Sequence, residues 1–387
     1  MISFHMPLSP DFVIIGAGVF GTWTAYHLRA EGHSVLLVDA FGAGHSKSSS
    51  GGKTRIIRIG YGDKKLYSEW ALNSLDKWKI LSAEAKEALF NNTGVLWMNH
   101  DNHSYVNDTV KTLKALNVPI ASLSATEVST RYPAFNVEGI SGAILEPASG
   151  VLLADRAITT LIKRVTQNKV DYRVAAVESF QPTTKIDAVK LSDGTKVSAG
   201  AFIFACGPWL PRIFPNLLGP LLTITRQEVF FIQSRNNDQT ATSMPMPAWI
   251  DFHEEIYGLP DIDGHGTKIG LTKLGPIFDP DHDDRTPSKD VQAASLLAAS
   301  VRIPQFRHAR VVDATVCQYS NTSTGNLIID RHPYHQNVWL IGGGSGHGFK
   351  LGPAVGSHIA SLVEGSSQPI PEFSIRTKNP EYEREIR

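Results

Sequence analysis

A glycine-rich turn near the start of the chain limits the fold more than any other feature. The apolar run Phe12–Ile15 leads directly into Gly16-Ala-Gly18-Val-Phe-Gly21, which has the spacing Gly-x-Gly-x-x-Gly. In a β-α-β unit that binds a dinucleotide, the first glycine permits a tight turn and the second lets the backbone approach the pyrophosphate. The third lets the helix pack closely on the strand. The motif therefore predicts a strand, a turn and a helix at this point.

The residues after the turn complete such a unit. Residues 22–29 are predicted to be a helix, and residues 34–39 are predicted to be a buried parallel strand that ends on an acid. A helix N-terminus binds phosphate through its N–H groups, so we predict that Val19 and Phe20 contact the cofactor and that Asp39 accepts hydrogen bonds from a ribose. The strand, glycine turn, helix, second strand and terminal acid follow one another in the order of a dinucleotide-binding unit. We therefore predict that this segment binds a dinucleotide and is not merely an ordinary glycine turn.

The next segment distinguishes between two kinds of dinucleotide. A domain that binds NAD continues with further regular β-α units, whereas this chain enters a polar, glycine-containing stretch over residues 46–58. Such a stretch suits contact with the second, bulky part of a cofactor and favours FAD over NAD. We predict Ser49, Thr54 and Arg55 as further cofactor contacts, and an NAD-dependent dehydrogenase is the weaker alternative.

Two later segments that contain glycine indicate how the rest of the chain is organised. Residues 201–205 and 338–341 are predicted strands that each run into a glycine turn, and a predicted helix at 353–363 follows the second turn. We therefore predict an α/β fold: a Rossmann-type FAD-binding domain assembled from discontinuous segments, with an α+β second lobe that contains a mixed sheet. The predicted FAD-binding domain comprises residues 1–90, 150–222 and 318–387, and the substrate domain comprises residues 91–149 and 223–317.

Local signals predict two further details. Asp155 is predicted to be the N-cap of a helix that continues to residue 166, because a short acidic side chain accepts hydrogen bonds from the first helical N–H groups. The segment after Gly365 is polar, so we expect it to lie at the periphery.

The composition excludes several classes of protein. Lys plus Arg and Asp plus Glu both total 37, so the chain has no basic excess for binding nucleic acid. No apolar run approaches the roughly 20 residues that span a bilayer. Without a recognisable signal peptide or a C-terminal Ser-Lys-Leu, we expect a cytoplasmic protein. Two cysteines cannot form a disulfide framework, and the 14 histidines show no metal-ligand spacing, so no metal is predicted.

Four blocks of sequence carry a resemblance to a known family. They are residues 16–21, residues 54–58 with Tyr61, residues 268–270, and a long block from Cys317 that includes CQYSNT, IDRHP and GSGHGFK. In order and spacing these blocks resemble the monomeric sarcosine oxidase family of the D-amino acid oxidase superfamily. The family consists of FAD-dependent oxidases of secondary amino acids and includes N-methyltryptophan, pipecolate and fructosyl-amino-acid oxidases. The resemblance implies a monomeric enzyme of this kind.

The resemblance also implies how the cofactor is held. In the family, the cysteine at the position of Cys317 forms a thioether to the 8α carbon of FAD. Lys268 matches a lysine that promotes reaction with O₂, since a fixed cation stabilises superoxide as it forms, and Arg55 matches a second cation at the flavin face. The glycine loop before the last helix is implied to direct N–H groups at the flavin edge that becomes negative on reduction. The implied contacts there are Gly344, Gly346, Gly348 and Lys350. Cys206 matches no family position and is predicted to be a small buried side chain.

The substrate site is implied in the same way. Arg58 and Lys350 match the pair that binds the substrate carboxylate, and a planar guanidinium can hold a carboxylate through two hydrogen bonds. Tyr257 and Tyr319 are predicted pocket walls. Sarcosine oxidases have histidines where this chain has Gly51 and Thr272. The implied pocket for the rest of the substrate is therefore altered, and sarcosine itself is in doubt.

The expected reaction oxidises the C–N bond of a secondary or N-alkylated α-amino acid to an imine while O₂ is reduced to H₂O₂. Three alternatives stay open: a fructosyl amino acid oxidase, a flavin dehydrogenase of the same fold that uses another electron acceptor, and a catalytically silent flavin-binding module. The small-molecule substrate and O₂ are the expected partners.

Overall fold

Six strands form the first sheet, which is parallel except at one edge. The computed structural model describes residues 9–101, 104–178, 185–233 and 246–379. The central strands are buried on both faces, which explains why their sequences are continuous apolar runs and not alternating patterns. In spatial order the strands are Ile328–Arg331, Val338–Gly342, Ala201–Phe204, Phe12–Ile15, Val35–Asp39 and Asp171–Val174, and the first of these is antiparallel to its neighbour.

Helices pack against this sheet. Helix Val19–Ala30 contacts helix Gly352–Val363 closely because Gly356 lacks a side chain, and a Cβ there would lie 2.5 Å from the carbonyl carbon of Trp23. The helices Lys65–Ala85 and Ala154–Gln167 pack beside this pair. Apolar side chains from the strands and helices form one buried core that fixes the glycine turn after the first strand.

Eight strands form a second, mixed sheet. Seven neighbouring pairs meet here, and only the pair Ala248–Asp251 and Val95–Asn99 is parallel. Helix Lys289–Arg302 packs on this sheet, and the helices Ser104–Ala115 and Ala125–Arg131 lie in the same part of the chain as its edge strands. In spatial order the strands are Arg310–Asn321, Thr223–Gln233, Thr267–Leu271, Ile256–Leu259, Ala248–Asp251, Val95–Asn99, Gly142–Glu146 and Ala121–Ser124.

A small antiparallel sheet consists of the strands Thr54–Ile57, Gly150–Leu153 and Phe90–Asn91. It holds Arg55, and Arg58 follows its first strand directly. A hairpin, Ala188–Lys190 with Lys196–Ser198, lies apart from it. The remaining short helices are Gly207–Trp209, Leu210–Ile213, Pro215–Leu218, Pro304–His308, Phe349–Leu351, Pro371–Phe373 and Ile375–Thr377.

The predicted fold class is confirmed, and three local expectations are corrected. The first helix begins at Val19 and not at residue 22, since the turn needs only the residues up to Gly18. Asp155 lies in the first turn of its helix, whose N-cap position is Leu153. The segment after residue 365 is not peripheral throughout, because Phe373 is 0% exposed and packs in the core.

The proposed division into two domains stays a prediction. Strand Arg310–Asn321 runs through the predicted boundary between residues 317 and 318. None of the helices in the described ranges combines the length and apolar character that a membrane crossing requires.

Candidate active site

A cavity of about 590 Å³ lies at the carboxyl ends of the parallel strands. This is the position where open α/β sheets bind nucleotides. We call it the first cavity, and most of the predicted cofactor residues line it. These are Gly16, Gly18, Val19, Phe20, Asp39, Ser49, Arg55, Cys317, Gly344, Gly346 and Gly348.

At one end of the first cavity the backbone turns as the glycine motif predicts. Gly16 has φ +107°, and a Cβ there would lie 2.4 Å from the carbonyl oxygen of Ala205. Gly21 does not line the cavity, but its missing side chain lets the helix approach the turn, since a Cβ would lie 1.9 Å from the oxygen of Gly16. Gly18, at the N-cap position, has no side chain that could cap the helix, and the first residues of the helix line the cavity.

Asp39 and Ser50 hold this turn in place. The Asp39 carboxylate accepts hydrogen bonds from the N–H groups of Ala17 at 2.8 Å and of Phe41 and Gly42, both at 2.9 Å. The hydroxyl of Ser50 accepts a hydrogen bond from the N–H of Val19 at 2.9 Å. Ser50 was not predicted, because it is 31 residues from Val19 in sequence and no local pattern indicates their contact.

A second part of the wall of the first cavity is also built around glycines. Gly346 has φ +80°, and a Cβ there would lie 2.5 Å from the ring of Tyr319. A Cβ at Gly348 would lie 2.7 Å from the ring of Phe20. This loop therefore needs glycine at both positions, and it brings the ring of Phe20, from the first helix, next to the last glycine cluster.

The residues of the first cavity fit a flavin dinucleotide. The cavity extends between two glycine-rich turns at opposite ends of the chain, and both turns present backbone to it. The buried oxygens Gln318 Oε1 and Ser320 Oγ have no hydrogen-bond partner in the described part of the chain, although both residues line the cavity. Buried polar atoms of this kind are commonly satisfied by a bound ligand or water.

Both cysteines line the first cavity, in different surroundings. The Cys206 thiol donates a hydrogen bond to the carbonyl oxygen of Ile15 at 3.3 Å, and burial raises the pKa of this thiol. Cys317 is half-buried in strand Arg310–Asn321 and is paired across the ladder with Gln227. The position of Cys206 at the cavity wall was not expected from the sequence.

Two cations, the half-buried Arg55 and the buried Lys268, lie where the first cavity meets a second one. The guanidinium of Arg55 donates hydrogen bonds to the carbonyl oxygens of Ser49, Gly51 and Thr54 at 3.0, 2.6 and 2.8 Å. The ammonium of Lys268 donates to the same Thr54 oxygen at 2.8 Å. Burial, and next the charge of Arg55, lowers the pKa of Lys268 to about 7. Thr54 thus acts through its carbonyl group and does not line either cavity.

The second cavity has a volume of about 350 Å³. The two cavities adjoin at the residues that line both of them, which are Arg55, Tyr257, Lys268, Tyr319, Gly346 and Phe349. Burial raises the pKa of Tyr257, whose hydroxyl is hydrogen-bonded to that of Tyr319. Its other walls combine the apolar side chains of Ile56, Ile250, Phe252 and Leu274 with polar side chains such as Arg58 and Lys350.

Arg58 lines the second cavity, and aromatic rings surround its guanidinium group. It is 5% exposed, and its guanidinium carbon lies 4.6 Å from the centre of the Tyr61 ring and 4.7 Å from that of Trp97. Its Nη1 donates hydrogen bonds to the carbonyl oxygen of Gly60 and, at 3.4 Å, to the hydroxyl of Tyr105. These contacts fix the direction of the guanidinium fork.

Lys350 is a further buried cation of this cavity. Its ammonium donates a hydrogen bond to the carbonyl oxygen of His347 at 3.1 Å and lies 4.8 Å from the centre of the same Tyr61 ring. Burial, and then the charge of Arg58, lowers the pKa of Lys350 well below its ordinary value, whereas Glu146 raises it. Lys350 lines the second cavity and not the first.

The two positions that differ from the family lie on opposite sides of the site. Thr272 lines the second cavity, and its backbone N–H donates to the carbonyl oxygen of Glu255 at 2.7 Å. At Gly51 a Cβ would lie 2.7 Å from the carbonyl oxygen of His45, so the loop closes over the space that a side chain needs. Any larger residue at Gly51 requires the backbone to move.

Sequence reasoning missed Glu146, which lies behind Arg58. A clue was present, because strand Gly142–Glu146 is apolar except for this acid at its end. In the described ranges, no group of three or more His, Cys, Asp or Glu side chains is arranged to hold a metal ion.

Comparisons with known proteins are consistent with this geometry. The family model for FAD dependent oxidoreductases, DAO, matches residues 11–362. Monomeric sarcosine oxidase from Bacillus sp. (strain B-0618) is 31% identical over 364 residues, which cover 91% of this chain and 92% of that protein. N-methyl-L-tryptophan oxidase from Yersinia pestis (strain Pestoides F) is 26% identical over 367 residues, which cover 93% and 96%.

Solved structures show the same fold. L-proline dehydrogenase from P. horikoshii superposes with a TM-score of 0.82 at 21% identity, over 95% of this chain and 97% of that one. At this identity the likeness concerns the fold alone. Since the relatives align over nearly their whole length, the comparison includes both sheets and both cavities.

Proposed function

Because the chain belongs to the DAO family of FAD-dependent oxidoreductases, we propose that it oxidises a secondary or N-alkylated α-amino acid. The C–N bond becomes an imine, O₂ accepts the electrons, and H₂O₂ is the second product. The observation that carries this proposal is the pair of buried cations, Arg58 and Lys350, that face one small cavity beside the dinucleotide site. The names of the curated relatives support the same class of substrate.

The substrate carboxylate binds between Arg58 and Lys350. Both cations contact the Tyr61 ring and are buried, so their charges repel each other and favour an anion in the cavity between them. Arg55 and Lys268 add further positive charge on the side of the first cavity, which disfavours a protonated substrate amine. The amine is therefore bound in its neutral form, and the reaction needs no dedicated general base.

FAD would be held in the first cavity, where it would accept the two electrons and the hydrogen of the substrate C–H bond next to nitrogen, while the N–H proton is released and the C–N bond becomes C=N. The glycine turn at Gly16 and the helix N-terminus bind the pyrophosphate, and the loop around Gly346 lies against the flavin. Cys317 lines this cavity with a half-buried side chain, and we assign it the covalent bond to the cofactor. Cys206, which is half-buried like Cys317, is assigned no such role, because its thiol donates a hydrogen bond to the carbonyl oxygen of Ile15 and has a raised pKa, which disfavours the reactive thiolate.

Lys268 supports the reduction of O₂. A fixed cation in a site that excludes water stabilises negative charge as it forms on oxygen. The ammonium is 4% exposed, is anchored on the carbonyl oxygen of Thr54, and stands at the junction of the two cavities. Its presence favours an oxidase over a flavin dehydrogenase of the same fold.

A substrate screen tests the proposed reaction. The purified holoenzyme is mixed without oxygen with N-methyl amino acids, cyclic imino acids and fructosyl amino acids, and loss of the flavin absorption is recorded. We expect at least one carboxylate-bearing amine to bleach the flavin, and air to restore the colour with one H₂O₂ per turnover. Bleaching without peroxide in air indicates a dehydrogenase, and no bleaching by any compound contradicts the proposed function.

The covalent link has its own test with a matched control. After acid precipitation, we expect the yellow colour to stay with the wild-type protein and with Cys206→Ser, and to be released into the supernatant from Cys317→Ser. Intact mass should exceed the sequence mass by one FAD in the first two proteins only. Free flavin from the wild type contradicts the covalent assignment and leaves the proposed reaction unaffected.

We also propose that the protein acts as a monomer, in line with the name of its sarcosine oxidase relatives. Light scattering on the purified protein is expected to give a mass near 42.3 kDa. A mass near twice this value contradicts the proposal.

A further inference from the structure

Glu146 is a fully enclosed carboxylate near the second cavity. It is 0% exposed and lines neither cavity. Its Oε1 accepts hydrogen bonds from the N–H of Gly60 at 3.0 Å and from the indole N–H of Trp97 at 2.9 Å. Its Oε2 accepts from the N–H of Ile59 at 2.7 Å and from the hydroxyl of Ser149 at 2.6 Å. Four donors therefore hold one buried carboxylate.

Three of these four donors belong to groups that determine where Arg58 points. Ile59 and Gly60 follow Arg58 directly in the chain, and the carbonyl oxygen of Gly60 accepts a hydrogen bond from the Arg58 guanidinium. The indole of Trp97 is the flat surface 4.7 Å from that guanidinium. Glu146 thus fixes both the acceptor and the aromatic wall that orient Arg58.

Glycine at position 60 makes this arrangement possible. A Cβ at Gly60 would lie 2.8 Å from Glu146 Oε1 and 2.4 Å from the methyl carbon of Thr109. A side chain here would push the backbone away from the carboxylate and shift the carbonyl that binds Arg58. The absence of a side chain at Gly60 is therefore needed for the contacts by which Glu146 orients Arg58.

Charge gives Glu146 a second effect. Arg58 and Lys350 are both buried, and two cations without a nearby anion lose protonation or repel each other. The Glu146 carboxylate raises the pKa of both groups and so opposes the lowering of the Lys350 pKa by burial and by Arg58. With Glu146 the three groups have a net charge of +1, which one substrate carboxylate neutralises.

We propose that Glu146 is a positioning residue for carboxylate recognition, which holds Arg58 in its binding direction through Gly60 and Trp97 and supplies a buried negative charge that offsets one of the two positive charges of Arg58 and Lys350. This inference rests on the proposed function, because it takes Arg58 and Lys350 as the carboxylate site. Glu146 itself contacts no substrate. It affects binding of the substrate carboxylate, and it does not affect the groups at the junction of the two cavities.

The test uses the FAD-loaded enzyme and propionate as a carboxylate probe that cannot be oxidised. Binding is followed through the change that propionate causes in the flavin absorption spectrum. In Glu146→Gln we expect the dissociation constant to rise at least about tenfold, because the amide N–H₂ faces N–H donors and the negative charge is lost. For the substrate found in the screen, KM should rise by a similar factor, while kcat changes less.

Two further variants keep the test decisive. Trp97→Phe retains the ring but removes one donor to Glu146, and we expect a smaller rise of the dissociation constant in the same direction. Glu228→Gln is the matched control. That buried carboxylate accepts bonds from Arg226 and Ser288, lies outside both cavities, and should leave propionate binding unchanged. FAD content and melting temperature are recorded for each variant.

The outcomes separate this inference from the proposed function. If wild-type enzyme neither binds propionate nor is bleached by any carboxylate-bearing amine, the proposed function fails. If wild-type enzyme does both, and Glu146→Gln and Trp97→Phe bind propionate as tightly as Glu228→Gln does, only the role of Glu146 is overturned. A loss of kcat with unchanged propionate binding also overturns it, since that pattern belongs to the redox step.

Discussion

The nucleotide end of the first cavity and the second cavity are built on different principles, although the two cavities share several side chains. At the nucleotide end, the backbone and missing side chains create the shape, as at Gly16 and Gly21. In the second cavity, buried charged side chains such as Arg58 and Lys350 create the chemistry, held by aromatic rings and by Glu146. A site shaped by the backbone suits the pyrophosphate, which all dinucleotides share. Charged side chains at fixed positions, in contrast, distinguish one substrate from another.

This difference predicts different consequences of mutation. Damage at the nucleotide end should remove the cofactor and destabilise the fold, because the contacts there are also packing contacts between helix and strand. Damage in the second cavity should leave a yellow, folded protein with altered kinetics. The predictions below test this contrast, beginning with the largest effect.

Gly21→Ala is expected to have the largest effect. The new Cβ would lie 1.9 Å from the carbonyl oxygen of Gly16, and a backbone atom cannot move aside as a flexible side chain can. We expect about 3 kcal/mol less free energy of unfolding and loss of most bound FAD. Thermal unfolding and the flavin-to-protein absorbance ratio measure both effects. Ala30→Ser, at an exposed position of the same helix, should change stability by no more than about 0.5 kcal/mol.

Equal FAD content in Gly21→Ala and Ala30→Ser would mean that the backbone at this turn has more freedom than close packing allows. In that case the contrast between the two cavities does not hold.

The same contrast explains which parts could be predicted from the sequence. The nucleotide end is encoded locally: strand, glycine turn, helix and Asp39 lie within one short segment, and periodicity is enough to order them. The fold class follows from this unit and from the later strand with its glycine loop. The extent of individual helices was less well predicted, as at Asp155, because capping residues and first-turn residues have similar composition.

The second cavity depends on contacts between distant residues, and pattern reasoning alone could not assemble it. Arg58 and Lys350 were identified only through the resemblance to a family. Glu146 was missed, since it is 87 residues from Ile59 in sequence, and no local pattern indicates their hydrogen bond. Phe373 was missed for a similar reason: a single aromatic residue in a polar segment gives no periodic signal, yet it is fully buried.

Arg58→Ala is the largest expected effect within the second cavity. Removing one partner of a buried charge pair costs on the order of 2–5 kcal/mol, so KM for a carboxylate substrate should rise by about 30-fold or more. FAD content should be unchanged, because Arg58 does not line the first cavity. Steady-state kinetics measure the change. Lys273→Ala, at an exposed position of the same cavity, is the control and should have little effect. An unchanged KM in Arg58→Ala indicates a substrate without a carboxylate.

Lys268→Met should affect only one half of the reaction. Removing a fixed charge that stabilises a developing anion typically costs about 10²- to 10³-fold in rate. We expect reoxidation by O₂ to slow by about 10²-fold, while anaerobic reduction by substrate changes by less than about tenfold. Stopped-flow absorbance at the flavin band separates the two steps. If both steps slow equally, Lys268 is a general determinant of the site and not the group that activates O₂.

The pH dependence of reoxidation by O₂ is a smaller effect, and its direction can be predicted. Burial, and next Arg55, lowers the pKa of Lys268 to about 7, so the ammonium is charged below that pH and becomes neutral above it. The rate of reoxidation should therefore be constant at low pH and fall by up to about tenfold per pH unit above the pKa. Lys268→Arg stays charged throughout this range and should give a flat profile. A wild-type rate that rises with pH contradicts the role of the cation.

Thr272→Ala should have the smallest effect and should change which substrate is preferred. Its backbone N–H, which pairs with Glu255, is retained, so the hydroxyl and the γ-methyl group are the only atoms lost from the wall of the second cavity. A single hydrogen bond contributes about 0.5–1.5 kcal/mol, so kcat/KM for a substrate that contacts this hydroxyl should fall by about two- to tenfold. Substrates that do not reach it should be unaffected, and FAD content should not change. The ratio of kcat/KM values for the two best substrates from the screen measures this effect. A uniform loss for every substrate would show that Thr272 supports the cavity wall, and it would weaken the view that side chains in the second cavity select the substrate one contact at a time.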